Sequence, residues 1–199
     1  MTLQGKTVLR LAGWTTAALL AAALPAAAHP GHGVAGFAAG AVHPLSGLDH
    51  LLAMVAVDLW AGLSGGRRLW LWPAAFVASM IAGSIVGMSH AITISVEPVI
   101  LASVVILGLA TALRLRAPAV VGGMLIGIFG LAHGYAHGME IPHSMRGLDF
   151  AAGFTLATGS LHAAGLLAAI RLRQMRLDGT VRFAGGAIAM AGIGLVLGA

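Results

Sequence analysis

The chain has 199 residues, of which 59% are hydrophobic and only 9% are charged, and its mean hydropathy is +0.95. This composition excludes a soluble globular domain and indicates a polytopic membrane protein. The net charge of +5 comes from basic residues in short clusters between apolar runs, a pattern that favours orientation in a bilayer over nucleic-acid binding.

The first 28 residues have the features of a secretory signal peptide. Lys6 and Arg10 precede an apolar run that ends in the small-residue sequence Ala26–Ala28, which fits a cleavage site. We therefore predict a signal peptide at residues 1–28 and a membrane domain at 29–199 with its new N terminus outside. The alternative is an uncleaved first membrane helix.

The rest of the chain divides into six apolar segments, each close to the roughly 20 residues that span hydrocarbon. We predict an all-α bundle of six transmembrane helices, at residues 36–62, 69–91, 97–114, 118–139, 148–171 and 182–198. If the N terminus is outside, the outer loops contain only Arg146, and the positive-inside rule supports this orientation. The inner loops then contain Arg67, Arg68, Arg114, Arg116, Arg171, Arg173, Arg176 and Arg182.

Glycines recur at four-residue spacing in these segments, which allows close contact between helix backbones in lipid. Gly83 and Gly87 form one such pair, and the run of Gly130, Gly134 and Gly138 is the longest. Because glycine is common in membrane helices, each pair alone is weak evidence. The run through Gly138 lies beside polar residues and predicts a helix face without bulk.

Three polar residues share one face of the fourth predicted helix. The stretch "AHGYAHGME" places His133, His137 and Glu140 at positions i, i+4 and i+7. At 1.5 Å rise per residue they span about 10 Å along the axis, which predicts a ladder of ligands. Polar groups inside a membrane are costly and usually face a protein interior with a function.

A second polar stretch, "HPLSGLDH", lies in the first predicted helix. His43 and His50 are seven residues apart and share a helical face, while Asp49 is about 100° from His50. Pro44 disfavours helical geometry at His43, so we predict that the helix proper begins near Pro44 after an irregular or re-entrant outer piece. Broken helices are tolerated in membranes chiefly where they line a cavity.

The predicted orientation brings both stretches to the outer half of the bundle, where imidazoles and carboxylates at graded depth would form a path for a cation. With no cysteine in the chain, thiolate sites are excluded, and imidazole favours Ni²⁺, Co²⁺, Cu²⁺ or Zn²⁺ over Mg²⁺ or Ca²⁺. The candidate metal ligands are His43, Asp49, His50, His133, His137, Glu140, Glu97, His29, His32 and His90.

Other polar residues have simpler interpretations. For His162, helix-to-helix hydrogen bonding is favoured over metal ligation. Asp58 and Asp149 lie near predicted helix ends, where solvation at the membrane interface is the favoured interpretation. His29 and His32 are equally consistent with a disordered tail.

The two polar stretches together resemble the signature motifs of the HupE/UreJ family of bacterial nickel permeases. The likeness extends over essentially the whole predicted mature chain, with Ala132 standing where the family motif often has phenylalanine. The resemblance implies a multi-pass inner-membrane permease, with a periplasmic N terminus, that takes up Ni²⁺ for hydrogenase or urease maturation. It also implies that His43, Asp49, His50, His133, His137 and Glu140 form the nickel pathway, with Glu97 as a further candidate.

The predicted function is therefore transport and not catalysis, with Ni²⁺ as substrate, Co²⁺ or Zn²⁺ as alternatives, and no organic cofactor. Membrane lipid and the cation are the expected partners, and no nucleic-acid partner is expected. Cytoplasmic metallochaperones are candidate recipients of the cation, but the sequence identifies neither them nor the oligomeric state. No G-x-x-x-x-G-K-[ST] loop is present, so ATP hydrolysis by this chain is not expected. An intramembrane zinc hydrolase and a haem-binding electron carrier remain as rival hypotheses.

Overall fold

A computed structural model describes residues 34–91, 93–141 and 147–198 of the chain. The described residues form helices and turns without a strand, which confirms the all-α prediction. Seven α-helices follow one another: α1 (Val34–Val42), α2 (Leu48–Ser64), α3 (Arg68–Met88), α4 (Glu97–Ala112), α5 (Ala119–Met139), α6 (Gly147–Gln174) and α7 (Asp178–Gly198). The predicted signal peptide, His29, His32 and Arg146 lie outside the described residues.

Four of these helices, α3, α5, α6 and α7, are long and apolar enough to cross a membrane. Residues 36–45 and α2 together make a fifth candidate span if the bent pair is one span, while α4 is a shorter apolar helix. Large apolar side chains such as Phe183, Trp70 and Val120 are exposed on the bundle surface, as expected for lipid contact. The chain is therefore a multi-pass membrane protein with four or five candidate spans where the sequence predicted six.

The first predicted helix is broken at the "HPLSGLDH" stretch. A short 3-10 turn, His43–Leu45, contains Pro44 and separates α1 from α2, and the two parts are bent by 69°. Gly47 is extended (φ −99°, ψ 114°), so α2 begins at Leu48. The prediction that the helix begins near Pro44 was wrong by four residues, because proline and the extended glycine end one helix before the next one starts.

The helices pack as three pairs around α2. The pairs are α3 with α5, α4 with α7, and α1 with α6, while α2 contacts α3, α4, α6 and α7. This position explains why most of α2 is buried, from Ala53 through Leu63. Most side chains of α2 therefore contact other helices of the bundle.

Glycines make the closest of these contacts. A methyl group at Gly134 would overlap the Met80 carbonyl, and one at Gly83 would overlap the Leu131 carbonyl, so α3 and α5 touch backbone to backbone. The predicted close approach along the run through Gly138 is thereby confirmed. Gly194, also part of a four-residue spacing, faces open space and makes no such contact.

One end of the bundle is rich in arginine. Arg68 donates a hydrogen bond to the Ala117 carbonyl (3.0 Å), Arg173 to the Gly62 carbonyl (3.3 Å), and Arg182 to the Ala112 carbonyl (2.8 Å). These bonds tie together the ends of α2, α4 and α6 and the starts of α3, α5 and α7. We call this the arginine end; the polar stretches with the candidate ligands lie toward the opposite end.

Candidate metal site

Two overlapping groups of three residues have the side-chain geometry of a metal site. The outer group consists of His43, His137 and Glu140, and the inner group of His50, His133 and His137. In each group the potential ligand atoms lie within 4.8 Å of one another. His137 belongs to both groups, so the two form a continuous ladder and not two separate sites.

The outer group forms a tight triangle at the entrance. His43 Nε2 lies 2.8 Å from His137 Nδ1 and 3.0 Å from Glu140 Oε2, and the His137 Nδ1 to Glu140 Oε2 distance is 3.4 Å. Ligand atoms bound at about 2.1 Å are separated by about 3.0 Å in an octahedral shell and about 3.4 Å in a tetrahedral one. The triangle therefore has the dimensions of one face of a coordination shell.

Glu140 is held in its charged form. Its side chain is about half exposed, and it accepts a hydrogen bond from His137. This bond lowers the pKa of Glu140, against the opposing effect of partial burial, and electrostatic interactions with His137 and His43 add to the lowering. An ionised carboxylate at the outer group is suited to attract a cation.

The inner group is enclosed in the bundle. His50 and His133 are almost completely buried, and their Nδ1 atoms are 3.3 Å apart. Phe154 packs on the rings of both His50 and His137, with ring centroids 6.0 and 5.0 Å away, and so keeps water from this side. Buried imidazoles with apolar walls are ligands that a cation reaches only after losing most of its water.

Ser103 on α4 fixes the tautomer of His133, and sequence reasoning missed it. The Ser103 hydroxyl donates its proton to the Ile100 carbonyl at 2.6 Å, so its oxygen, 3.0 Å from His133 Nε2, accepts the proton of that nitrogen. The lone pair of His133 is then on Nδ1, which faces His50. A single serine in an apolar helix was the only available signal, and its partner is 30 residues away.

A cavity of about 600 Å³ leads from the surface to both groups. Besides members of the groups, its wall includes two carboxylates that the sequence singled out, Asp49 and Glu97. Asp49 accepts a hydrogen bond from the His50 backbone N–H at 2.7 Å, at the start of α2, and Glu97 is exposed at the start of α4. Both add negative charge along the approach without joining either group.

The remaining candidate ligands are placed differently. His90 follows α3 in a turn with φ 48° and is in neither group. His29 and His32 lie outside the described residues. The two groups thus contain five of the predicted ligands, the cavity wall adds Asp49 and Glu97, and His90 belongs to neither group.

A separate buried pair corrects one prediction. Asp58 on α2, expected at the membrane interface, is 1% exposed and accepts a hydrogen bond from His162 Nδ1 on α6 at 2.8 Å. The interface interpretation was wrong because Gly165 leaves room for the carboxylate, where a methyl group would overlap Asp58 Oδ2. Helix-to-helix hydrogen bonding by His162 is confirmed.

Comparisons with known proteins agree with this description. The family model described as "HupE / UreJ protein" matches residues 17–195. One relative, Protein HupE of Rhizobium leguminosarum bv. viciae, is 41% identical over 186 residues, which cover 92% of this chain and 97% of the relative. No solved structure matches the chain.

Proposed function

The chain belongs to the HupE/UreJ family, and from this premise we propose that it is a permease for a divalent transition-metal cation, with Ni²⁺ as its main substrate. The observation that carries the proposal is the ladder in which His137 links the outer group to the buried inner group. Nitrogen-rich donor sets with one carboxylate suit borderline cations such as Ni²⁺, whereas Mg²⁺ and Ca²⁺ prefer oxygen shells.

The ladder supports stepwise dehydration of the cation. Asp49, Glu97 and Glu140 attract it to the cavity, and the outer triangle replaces part of its water with two nitrogens and one oxygen. The inner group then offers three nitrogens in a buried position. Each step exchanges water for protein ligands, so the cation never enters the bundle uncoordinated.

The charge distribution supports an orientation for uptake. Under the positive-inside rule the arginine end is cytoplasmic, which puts the cavity on the periplasmic side of the inner membrane. A membrane potential, negative inside, then favours entry of a divalent cation by about 4.6 kcal/mol per 100 mV. Removal of residues 1–28 as a signal peptide is consistent with the same orientation.

Accumulation of radioactive nickel by cells that express the chain tests this function. We expect uptake above that of cells without the gene, and its loss in His133→Ala, since that change removes a nitrogen from the inner group. Met124→Ala, on the exposed side of the same helix, is the matched control and should transport normally. Competition by cobalt, zinc and copper then ranks the cations. Equal accumulation by wild type and His133→Ala would refute the proposal.

A further inference from the structure

Beyond the two groups, the described part of the bundle contains two further buried polar side chains, Thr158 and His162, with an atom that lacks a hydrogen-bond partner. Among the described residues, three buried side-chain atoms lack a hydrogen-bond partner: His50 Nε2, Thr158 Oγ1 and His162 Nε2. Unsatisfied buried polar atoms are rare in proteins and require an explanation, such as a ligand or ion that is bound only part of the time. Two of the three belong to α6, one turn apart on the same face.

The Asp58 and His162 pair has the arrangement of a metal ligand with its supporting carboxylate. His162 donates Nδ1–H to Asp58 Oδ1 at 2.8 Å, so the lone pair of the ring is on Nε2, the atom without a partner. Histidines that bind metals commonly donate their other ring N–H to a carboxylate, which fixes the tautomer and the ring orientation. His162 is 3% exposed and its Nε2 atom is buried, so this lone pair is shielded from solvent.

The pair lies deeper in the bundle than the histidine ladder. Asp58 is eight residues beyond His50 on α2, about 12 Å toward the arginine end, and His162 is eight residues beyond Phe154 on α6. The buried ring of Phe76 contacts the rings of His133 and His162, with centroids 5.7 and 5.3 Å away. The pair is therefore separate from the inner group but is its immediate neighbour across one aromatic ring.

We propose that His162, oriented by Asp58, is a third cation-binding position, which receives the transition-metal cation from the inner group on its way to the arginine end. The proposal rests on the proposed transport function. Thr158 Oγ1 supplies a second donor one turn closer to the ladder, and Asp58 supplies negative charge beside the cation. A position with few protein ligands binds weakly, as a step between entry and release requires.

Replacement of the imidazole by a thiolate makes this position visible. The chain contains no cysteine, so His162→Cys introduces its only thiol. When Co²⁺ is added to the purified full-length variant, we expect a thiolate-to-cobalt charge-transfer absorption that grows after the ladder has filled and that reaches one bound cobalt per introduced thiol. The matched control is Leu166→Cys, which places a buried thiol one turn further along α6. Absence of the absorption, or equal absorption in the control, would overturn the proposal.

Uptake measurements show whether the position is used in transport. We expect His162→Ala to reduce nickel uptake at least tenfold while cobalt binding by the ladder, seen in its visible absorption, persists. Because this variant leaves the Asp58 carboxylate buried without a donor, Asp58→Asn combined with His162→Ala is measured beside it to guard against misfolding. Normal uptake in the double variant would overturn the third position and leave the proposed transport intact, whereas absent uptake by the wild type would overturn transport itself.

Discussion

The shared position of His137 predicts that the ladder holds one cation at a time. A neutral imidazole has a single lone pair, because its other nitrogen carries a proton. His137 can therefore complete either the outer group or the inner group, but not both at once. We expect one His137-dependent cation per chain, and transfer between the groups requires the His137 ring to turn or to change its tautomer.

The sizes of the mutational effects follow from this competition. When two groups compete for one cation, the overall association constant is the sum of their separate constants. Removal of the weaker group therefore leaves at least half of the overall association constant. At least one of the variants His43→Ala and His133→Ala should therefore weaken binding no more than about twofold, or about 0.4 kcal/mol. His137→Ala impairs both groups and should weaken binding at least about 100-fold, or about 2.7 kcal/mol.

Calorimetric titration of the purified protein with Ni²⁺ measures both the number of cations and their affinity. His43→Ala and His133→Ala are matched variants, since each is a histidine-to-alanine change that affects one group. Ser160→Ala, whose hydroxyl bonds only to the Leu156 carbonyl of its own helix in the described contacts, serves as a control for the preparation. Two His137-dependent cations, or losses above tenfold in both His43→Ala and His133→Ala, would show that the reasoning is wrong.

Three further predictions concern packing and charge. Gly134→Ala should destabilise the bundle by about 1–3 kcal/mol, because the added methyl group overlaps the Met80 carbonyl. The control is Gly123→Ala, whose methyl group meets only ordinary contacts from 3.7 Å, and denaturation midpoints in detergent compare the two variants. The lowered pKa of Glu140 means that its ionised form stabilises the folded state above the ordinary carboxyl pKa, and this contribution disappears as pH falls through the lowered value. The melting temperature of Glu140→Gln should therefore be below that of the wild type at pH 7 and should equal it in strong acid; a constant difference would contradict the assignment. Arg114→Gln removes an exposed ion pair with Asp178 (3.0 Å) and should change stability by less than about 1 kcal/mol, so a larger loss would contradict its classification as a surface pair.

Local pattern was sufficient to predict much of the fold and the ladder. Helical periodicity predicts one shared face for His133, His137 and Glu140; all three belong to the ladder, although α5 ends at Met139 and Glu140 follows it. The same reasoning placed His43 and His50 on one helical face but predicted a break near Pro44; the structure has that break, with a 3-10 turn at His43–Leu45 and the start of α2 only at Leu48. His43 nevertheless meets His137, because the bend returns it to the cavity.

Long-range contacts could not be predicted from one sequence. Asp58 and His162 are 104 residues apart, and neither is part of a recognisable local motif. The position of Asp58 near a predicted helix end suggested solvent, but the glycine that receives its carboxylate is on another helix. Ser103 was overlooked for the same reason, since its role depends on a histidine across the bundle.

The close glycine contacts between α3 and α5 have a consequence for cation release in the proposed transport. His133 and His137 belong to this helix pair, whose backbones are in direct contact and therefore cannot move closer together. His43 and His50 lie on either side of the break before α2. Under the proposed function, a bound cation would therefore lie between histidines on a rigid helix pair and histidines beside a bend. A change in the bend angle would separate the imidazoles and weaken their coordination of the cation, and it would not require any helix to unwind.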